Sequence, residues 1–277
     1  MIHDPSPLQL RNKYKILILI VLTLAVLIFT VSLHRIPQDR SYHLFADSRA
    51  FFGIPNFWNV ISNMPFLIIG FIGIAFMTKK RNQPVFDQPN QLLIWICIFA
   101  GIASVGLGSA YYHLAPSNDR LVWDRLPMTL VFMSFAAAVI SERIDANKGL
   151  LFLILLNALG VFSVWYWQYT EQQNLGDLRL YAFVQFAPML ILPAILILYR
   201  KGPSLFPELS GVFLFYVAAK LTEHFDVVIY RFCGFWSGHT IKHVAAALAV
   251  WCMYRIIVRR KKKYLFLQKQ ELIDERV

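Results

Sequence analysis

The chain has 277 residues, of which 57% are hydrophobic and 16% are charged, and its formal net charge is +11. Such an apolar composition excludes a soluble domain of this length and indicates a membrane protein with several spans. The basic residues form short clusters beside apolar segments, as in the cytoplasmic loops of membrane proteins, which argues against nucleic-acid binding. The three cysteines are far apart in sequence and predict neither a CxxC motif nor a disulfide framework.

Eight segments are long and apolar enough to cross a bilayer as helices, which takes about 20 residues each. In chain order they are Ile16–Leu33, Phe57–Met77, Leu92–His113, Leu121–Ile140, Gly149–Trp167, Leu178–Tyr199, Phe206–Tyr230 and His239–Val258. The first follows the basic stretch "RNKYK", as a signal peptide would, but its apolar run is long and "TVSLHRIP" is a poor cleavage site, so we expect a retained helix. The sequence therefore predicts an all-α, polytopic membrane protein.

The distribution of basic residues predicts the orientation of these spans. Eight spans place both termini on one side of the membrane, and the loops on that side carry most of the lysines and arginines. These residues are Arg11, Lys13, Lys15, Lys79, Lys80, Arg81, Arg143, Lys148, Arg200, Lys201 and the tail "RRKKK". By the positive-inside rule, both termini are predicted to be cytoplasmic.

Polar side chains that are far apart in sequence then lie at one depth, towards the outer face. His113 ends the third span, Asp124 lies near the start of the fourth, and His239 and His243 begin the eighth. Ionisable groups within spans are costly, usually face the interior of the bundle and indicate function. Ser109 lies four residues before His113, and His239 lies four before His243, so each pair shares one helix face.

Three imidazoles from two helices can hold a zinc ion (Zn²⁺) tetrahedrally and leave its fourth position for water. The pattern therefore predicts a catalytic metal site formed by His113, His239 and His243. Asp124 would act as a general base or orient the water, and Ser109 would donate a hydrogen bond to a developing oxyanion.

These residues also have structural interpretations. Ser109 lies in "GIASVGLGSA", a small-residue stretch that is typical of close helix packing. Asp124 would alternatively form a boundary ion pair with Arg125. A Ser-His-Asp triad is a third alternative, but the two further histidines fit a metal site better.

The seventh span carries further ionisable residues near its outer end. Lys220, Glu223 and Asp226 are spaced three apart, so successive members are near neighbours on a helix. They predict either an ion-pair network between helices or, together with His224, a group of side chains that orient the metal ligands. A proton or ion transporter is an alternative function for Lys220, Glu223 and Asp226.

At these positions the sequence resembles the alkaline ceramidase family, which belongs to the CREST superfamily of membrane hydrolases and progestin/adiponectin-type receptors. The similar motifs are "FWNVISN" at Phe57–Asn63, "GLGSAYYH" at Gly106–His113, "DRLPM" at Asp124–Met128 and "HTIKH" at His239–His243. The resemblance implies a seven-helix domain at 42–258. Residues 1–41 would add a cytoplasmic segment and one transmembrane helix, and residues 259–277 would form a basic cytoplasmic tail.

The resemblance also implies an activity. Zinc would be held by the three histidines, with Ser109 and Asp124 as catalytic partners, and the reaction would hydrolyse the amide bond of ceramide or a related lipid amide to a fatty acid and a sphingoid base. Animal members carry an acidic cluster before the first core helix that resembles a calcium site. Here Asn56 precedes "FWN" and Asp47 is the main upstream acid, so the departure argues against a Ca²⁺ site at these two candidates.

The expected partners are therefore a ceramide-like membrane lipid and the bilayer, without nucleic acid. The expected location is a bacterial inner membrane or an internal eukaryotic membrane. Because the superfamily contains receptors, a receptor or sensor with a structural zinc site is the alternative. A free fourth metal position beside Asp124 would favour the hydrolase, and a fourth protein ligand would favour the receptor.

Overall fold

A computed structural model describes residues 7–79, 85–86, 88–200 and 206–274. Within these residues the secondary structure is helical, with α-helices joined by short turns. The helices are α1 (Pro7–Ser32), α2 (Phe57–Ile61), α3 (Met64–Thr78), α4 (Pro89–Leu114), α5 (Asn118–Arg143), α6 (Gly149–Gln172), α7 (Arg179–Leu198), α8 (Phe206–His224), α9 (Asp226–Cys233) and α10 (Gly238–Asp274). Short 3-10 helices lie at Arg40–His43 and Ala146–Lys148.

Seven helical segments of the described residues are long and apolar enough to cross a membrane. They are Leu10–Ser32, Phe57–Thr78 (α2 with α3), Pro89–Leu114, Asn118–Arg143, Ala146–Gln172, Arg179–Leu198 and Gly238–Glu271. These segments confirm the predicted all-α, polytopic membrane fold.

The predicted seventh span, Phe206–Tyr230, is divided between α8 and α9, so the prediction of one continuous helix there is wrong. Neither helix is among the seven apolar segments. Helix α8 carries the charged residues Glu208, Lys220 and Glu223, and α9, with 8 residues, is too short. The protein itself provides partners for these charges. Glu208 accepts a hydrogen bond of 2.8 Å from Arg259 of α10, and α8 packs along α10. With α8 included, the core contains the seven helices that the resemblance implies, and α1 lies outside it.

Close contact between α4 and its neighbours explains the small residues of "GIASVGLGSA". A Cβ atom added at Gly106 would lie 2.9 Å from the backbone nitrogen of Leu67 on α3. A Cβ atom at Gly108 would collide with the carbonyl oxygen of Trp123 on α5. Small residues therefore let α4 lie directly against both helices, as in other membrane bundles, and this contact brings Ser109 next to α5.

The segment between α1 and α2 covers one end of the bundle. Its backbone forms hydrogen bonds with the start of α7 and with α9. The carbonyl oxygen of Ile36 accepts from the backbone N–H of Leu178, just before α7, at 2.8 Å, and the backbone N–H of Ala46 donates to the Asp226 carboxylate at 3.0 Å. His43 contacts the Tyr112 hydroxyl at 2.9 Å. This covering segment therefore lies over the ends of the helices that carry the predicted site.

At the other end of the chain, α10 continues to Asp274, well past the predicted start of the basic tail at residue 259. The domain limits after residues 41 and 258 remain predictions, because no helix break marks the second of them. Part of the basic bias falls on Lys80, Arg81 and Lys201, which lie outside the described residues. The cytoplasmic location of both termini also remains a prediction.

Candidate metal centre

Three histidine side chains meet in the interior, near the covered end of the bundle. One nitrogen of each of His113, His239 and His243 lies within 4.8 Å of the others, and all three residues are at most 4% exposed. The Nε2 atoms of His113 and His239 are 3.4 Å apart. Two nitrogens bound to one zinc ion at 2.0–2.1 Å in tetrahedral geometry are also about 3.4 Å apart. The predicted convergence is confirmed, and the spacing of the donors fits zinc.

The hydrogen bonds around His243 leave one of its nitrogens free to bind a metal. Its Nδ1 lies 2.7 Å from the Ser62 hydroxyl, which donates to the carbonyl oxygen of Asn59 at 3.3 Å. The Ser62 hydroxyl therefore holds the His243 ring through Nδ1. Nε2 is buried and has no hydrogen-bond partner in the described part of the chain. A hydrogen-bond partner on the ring nitrogen that does not bind the metal is typical of metal-ligating histidines.

Asp226 positions the start of α10 through the backbone. Its Oδ1 accepts a hydrogen bond of 2.7 Å from the backbone N–H of His239, and its Oδ2 accepts one of 3.0 Å from Ala46. The carboxylate therefore joins the first turn of α10 to the covering segment. Sequence analysis placed Asp226 among the residues that orient the ligands, and the structure shows that it contacts the main chain of His239.

Ser109 and Asp124 lie together on the adjoining faces of α4 and α5. Both are buried, and the Ser109 hydroxyl lies near the Asp124 carboxylate. Both line the same cavity as His243. Among the described residues, the group that is placed to hold a metal consists of the three histidines alone, without Asp124.

Lys242 is a site residue that sequence analysis did not assign. Its Nζ lies 3.0 Å from Nε2 of His239 and 3.1 Å from Oε1 of Glu223. The residue lies within "HTIKH", three positions after His239, so helical spacing was the signal for it. An ammonium group only donates hydrogen bonds and therefore occupies the lone pair that a metal would use. Metal binding at His239 requires Lys242 to move away from that nitrogen.

Glu223 is the centre of an ion-pair network that includes Lys220 and Lys242. Its Oε2 accepts from Lys220 at 2.9 Å, and its Oε1 accepts from the Tyr42 hydroxyl at 3.1 Å. Burial, and after it the charge of Glu223, raises the pKa of Tyr42, so this hydroxyl keeps its proton and donates it. Of the two interpretations given for the seventh span, the ion-pair network therefore applies to Lys220 and Glu223. Glu223 is connected to His239 indirectly, through Lys242.

The remaining candidates lie apart from the histidine rings. His224 is exposed, and its ring packs against Phe225. Asp47, a candidate for calcium, accepts hydrogen bonds of 2.8 Å on each carboxylate oxygen from the guanidinium of Arg49. The side chain of Asn56, the second candidate, donates to the carbonyl oxygen of His113 at 2.9 Å. Both calcium candidates are thus bound by groups of the chain itself.

The alternative of a boundary ion pair between Asp124 and Arg125 is wrong. Across the described residues, Arg125 forms no ion pair within 4.0 Å. Its guanidinium carbon instead lies 4.2 Å from the ring centre of Trp167 and 4.7 Å from that of Tyr181. Its Nη2 donates to Oε1 of Gln38 at 2.5 Å.

A cavity of about 430 Å³ lies beside the histidines. Its polar end contains Ser109, Asp124 and His243. The rest of the wall is mainly apolar and includes Phe66, Val131, Phe135, Leu192, Val250 and Met253. On α10 the lining extends from Lys242 to Met253, which is about 16 Å of helix. Its volume and apolar walls are typical of a site for an apolar small molecule.

The fold and the site together define a multi-pass, all-helical membrane protein with a buried tri-histidine centre at the polar end of an apolar cavity. The chain belongs to the ceramidase family, because the family model described as Ceramidase matches residues 52–252. The matched range contains all four motifs on which the resemblance was based. No curated protein and no solved structure matches the chain. Membership of this family implies a hydrolase that acts on amide bonds.

Proposed function

We propose that the protein is a zinc-dependent integral-membrane amidase that hydrolyses the amide bond of ceramide or a related lipid amide to a fatty acid and a sphingoid base. Family membership supports the reaction class. One observation carries the proposal: three buried histidines form a cluster, and one of them, His243, lines an apolar cavity together with the Asp124 carboxylate. This arrangement suits a substrate with a long apolar chain and a polar scissile bond.

The donor set supports zinc as the metal. His113, His239 and His243 would hold it, and their buried nitrogens, including the free Nε2 of His243, match its preference for neutral imidazoles. When bound, zinc supplies Lewis acidity and makes water a nucleophile at neutral pH.

Side chains next to the three histidines would carry out the proton transfer and stabilise the developing negative charge. As the water oxygen forms a bond to the amide carbon, Asp124 accepts a proton from that water. Asp124 then transfers the proton to the amide nitrogen as the C–N bond breaks. Ser109 donates to the carbonyl oxygen as negative charge develops on it. Because the hydroxyl has one hydrogen, Ser109 donates to a single acceptor at a time, and during the reaction that acceptor is the substrate carbonyl. The apolar walls hold the acyl chain.

Two observations favour this function over its alternatives. A receptor with a structural zinc site is expected to complete the coordination with a fourth protein ligand, whereas the group in the described residues has three. A proton or ion transporter needs a polar path through the bundle, whereas the cavity wall is apolar away from the histidines and Glu223 is bound by two lysines.

The membrane location is part of the proposal. Seven apolar helical segments support a multi-pass membrane protein. The proposed location is a bacterial inner membrane or an internal eukaryotic membrane. Both termini would be cytoplasmic, and the metal centre would face the outer side.

The test is to measure zinc content and fatty-acid release from ceramide on the same purified protein. The parent protein is expected to contain about one zinc per chain and to release fatty acid, and His239→Ala is expected to lose both, because it removes a metal ligand. Zinc binding without cleavage of any lipid amide would favour the receptor instead.

A further inference from the structure

A buried arginine in the cavity wall forms no ion pair with any of the described residues. Arg125 is 6% exposed and lines the cavity next to Asp124. Guanidinium groups carry a positive charge in proteins. Within the described residues, no carboxylate lies within ion-pair distance of Arg125, and its buried Nη1 has no hydrogen-bond partner. A buried charge of this kind is unfavourable unless something pairs with it.

The groups around Arg125 hold it in place without neutralising it. The rings of Trp167 and Tyr181 lie close to the guanidinium carbon, and the neutral amide of Gln38 accepts from Nη2. These contacts limit the rotation of a long side chain, so its free donor is already oriented before a ligand arrives. Such preorganisation is typical of binding sites, since it reduces the entropy lost on binding.

The rest of the polar end also carries an excess of positive charge. Glu223 is the single carboxylate between two ammonium groups, those of Lys220 and Lys242, at 2.9 and 3.1 Å. With Arg125 and Asp124, the cavity lining contains three cationic and two anionic side chains. A divalent metal on neutral imidazoles would add two further positive charges. An anionic ligand would balance this end of the cavity.

We propose that the lipid amide cleaved at this site carries an anionic group near the amide, and that Arg125 determines this specificity by binding it. The inference rests on the proposed amidase function. Carboxylates and phosphates both accept paired N–H donors from a guanidinium, so the shared feature is an oxyanion. Because Arg125 follows Asp124 on α5 and both line the cavity, an anion on Arg125 would hold the neighbouring amide beside the general base.

The test uses two pairs of lipids in which each pair differs by one charged group. N-palmitoylglycine is compared with N-palmitoylglycinamide, and ceramide 1-phosphate with ceramide, on the zinc-loaded full chain. We expect kcat/KM to be about 10- to 100-fold higher for the anionic member of at least one pair, which is the range for a hydrogen bond to a charged group. The pair that shows the preference identifies the anion as a carboxylate or a phosphate.

Two variants connect the preference to the residue. Arg125→Gln keeps a donor but removes the charge, and we expect it to abolish the preference. Arg125→Lys restores the charge without the planar fork and should recover part of it. Arg120→Gln is the matched control: Arg120 also lies on α5 and stacks on a tyrosine, at 4.5 Å from the Tyr111 ring, but it does not line the cavity. This control should keep the preference of the parent protein.

The outcomes separate this inference from the proposed function. Equal cleavage of both members of both pairs would overturn the inference and leave the amidase intact, as would a preference that survives in Arg125→Gln. Cleavage of no lipid amide at all would contradict the amidase. In that case the shift in melting temperature caused by each lipid tests the anion site. A larger shift with the anionic member of a pair would support the site, and equal shifts within both pairs would overturn the inference. If Arg125→Gln does not fold, the preference of the parent protein and its change in Arg125→Lys decide.

Discussion

Asp124 and Ser109 are neighbouring side chains with different roles in the proposed reaction, and substitution of each should affect the rate of amide cleavage differently. A carboxylate accepts and returns a proton, whereas a hydroxyl donates one hydrogen bond. Neither belongs to the group of metal ligands in the described residues. Substitution at either position is therefore expected to leave zinc in place.

We predict that Asp124→Asn keeps zinc and loses about 10²- to 10⁴-fold in the rate of amide cleavage, because the amide preserves size and cannot take up the proton. Ser109→Ala should also keep zinc and lose about 10²- to 10³-fold, as expected for one oxyanion donor. Single-turnover cleavage and zinc content are measured on the same preparations. Asp124→Asn with the rate of the parent protein would show that Asp124 is not the base.

The contact between Lys242 and His239 makes a second prediction at this scale. Lys242→Met is expected to bind zinc several-fold more tightly than the parent protein, because it removes both a competing donor and a nearby positive charge. Lys220→Met is the matched control, since Lys220 pairs with Glu223 without contacting His239. Zinc affinity is measured by competition with a chelator. Weaker zinc binding by Lys242→Met would mean that the lysine supports the metal site.

At the scale of helices, the site depends on how closely α4 lies against α5. His113 and Ser109 come from α4, and Asp124 comes from α5, so the distance between the two helices sets the spacing of the site. Gly108 makes this approach possible, because a side chain there would collide with the backbone of Trp123. A flexible side chain could rotate to relieve such a collision, but the backbone of Trp123 cannot.

We therefore predict that Gly108→Ala lowers the free energy of unfolding by about 1–3 kcal/mol, the usual range for overpacking, and also lowers amide cleavage. Ser104→Ala is a suitable control on the same helix, since Ser104 is exposed and bonds its own helix at the carbonyl of Ala100. Thermal unfolding and cleavage are compared for the two variants. A Gly108→Ala protein as stable as the control would mean that the two helices can separate without cost.

For the whole molecule, the predicted topology places the metal centre at the outer face of the membrane. Cys233 is the exposed one of the three cysteines and lies at the end of α9, close in sequence to the start of α10 and its histidines. Lys269 is exposed on the far extension of α10. Since α10 crosses the bilayer between them, the two positions report opposite sides.

We predict that a membrane-impermeant thiol reagent labels Cys233 from outside intact cells or sealed vesicles of native orientation. In a Cys233→Ser background, the thiol of Lys269→Cys should be labelled only after the membrane is opened. Fully permeabilised membranes provide the control for reactivity. The reverse pattern would place the termini outside and the metal centre at the cytoplasmic leaflet.

Local patterns in the sequence were enough to predict the helices and the histidine cluster. Apolar runs of about 20 residues identify membrane helices because the lipid requires them, and spacing of four residues puts His239 and His243 on one face. The convergence of His113 with this pair followed from topology, because spans of alternating direction bring their outer ends to one depth. The break between α8 and α9 was missed because the hydropathy of Phe206–Tyr230 does not indicate where a helix ends.

Only the tertiary structure decided which polar groups meet. An ion pair between Arg125 and the adjacent Asp124 was one alternative, but aromatic rings from α6 and α7 lie against the Arg125 guanidinium, and no pattern within α5 specifies those neighbours. Asp226 binds main-chain N–H groups of two other segments, and Glu223 reaches His239 only through Lys242. Helical periodicity determines which face a side chain occupies. The partner on that face depends on how separate helices pack, and packing joins residues that are more than a hundred positions apart in the chain.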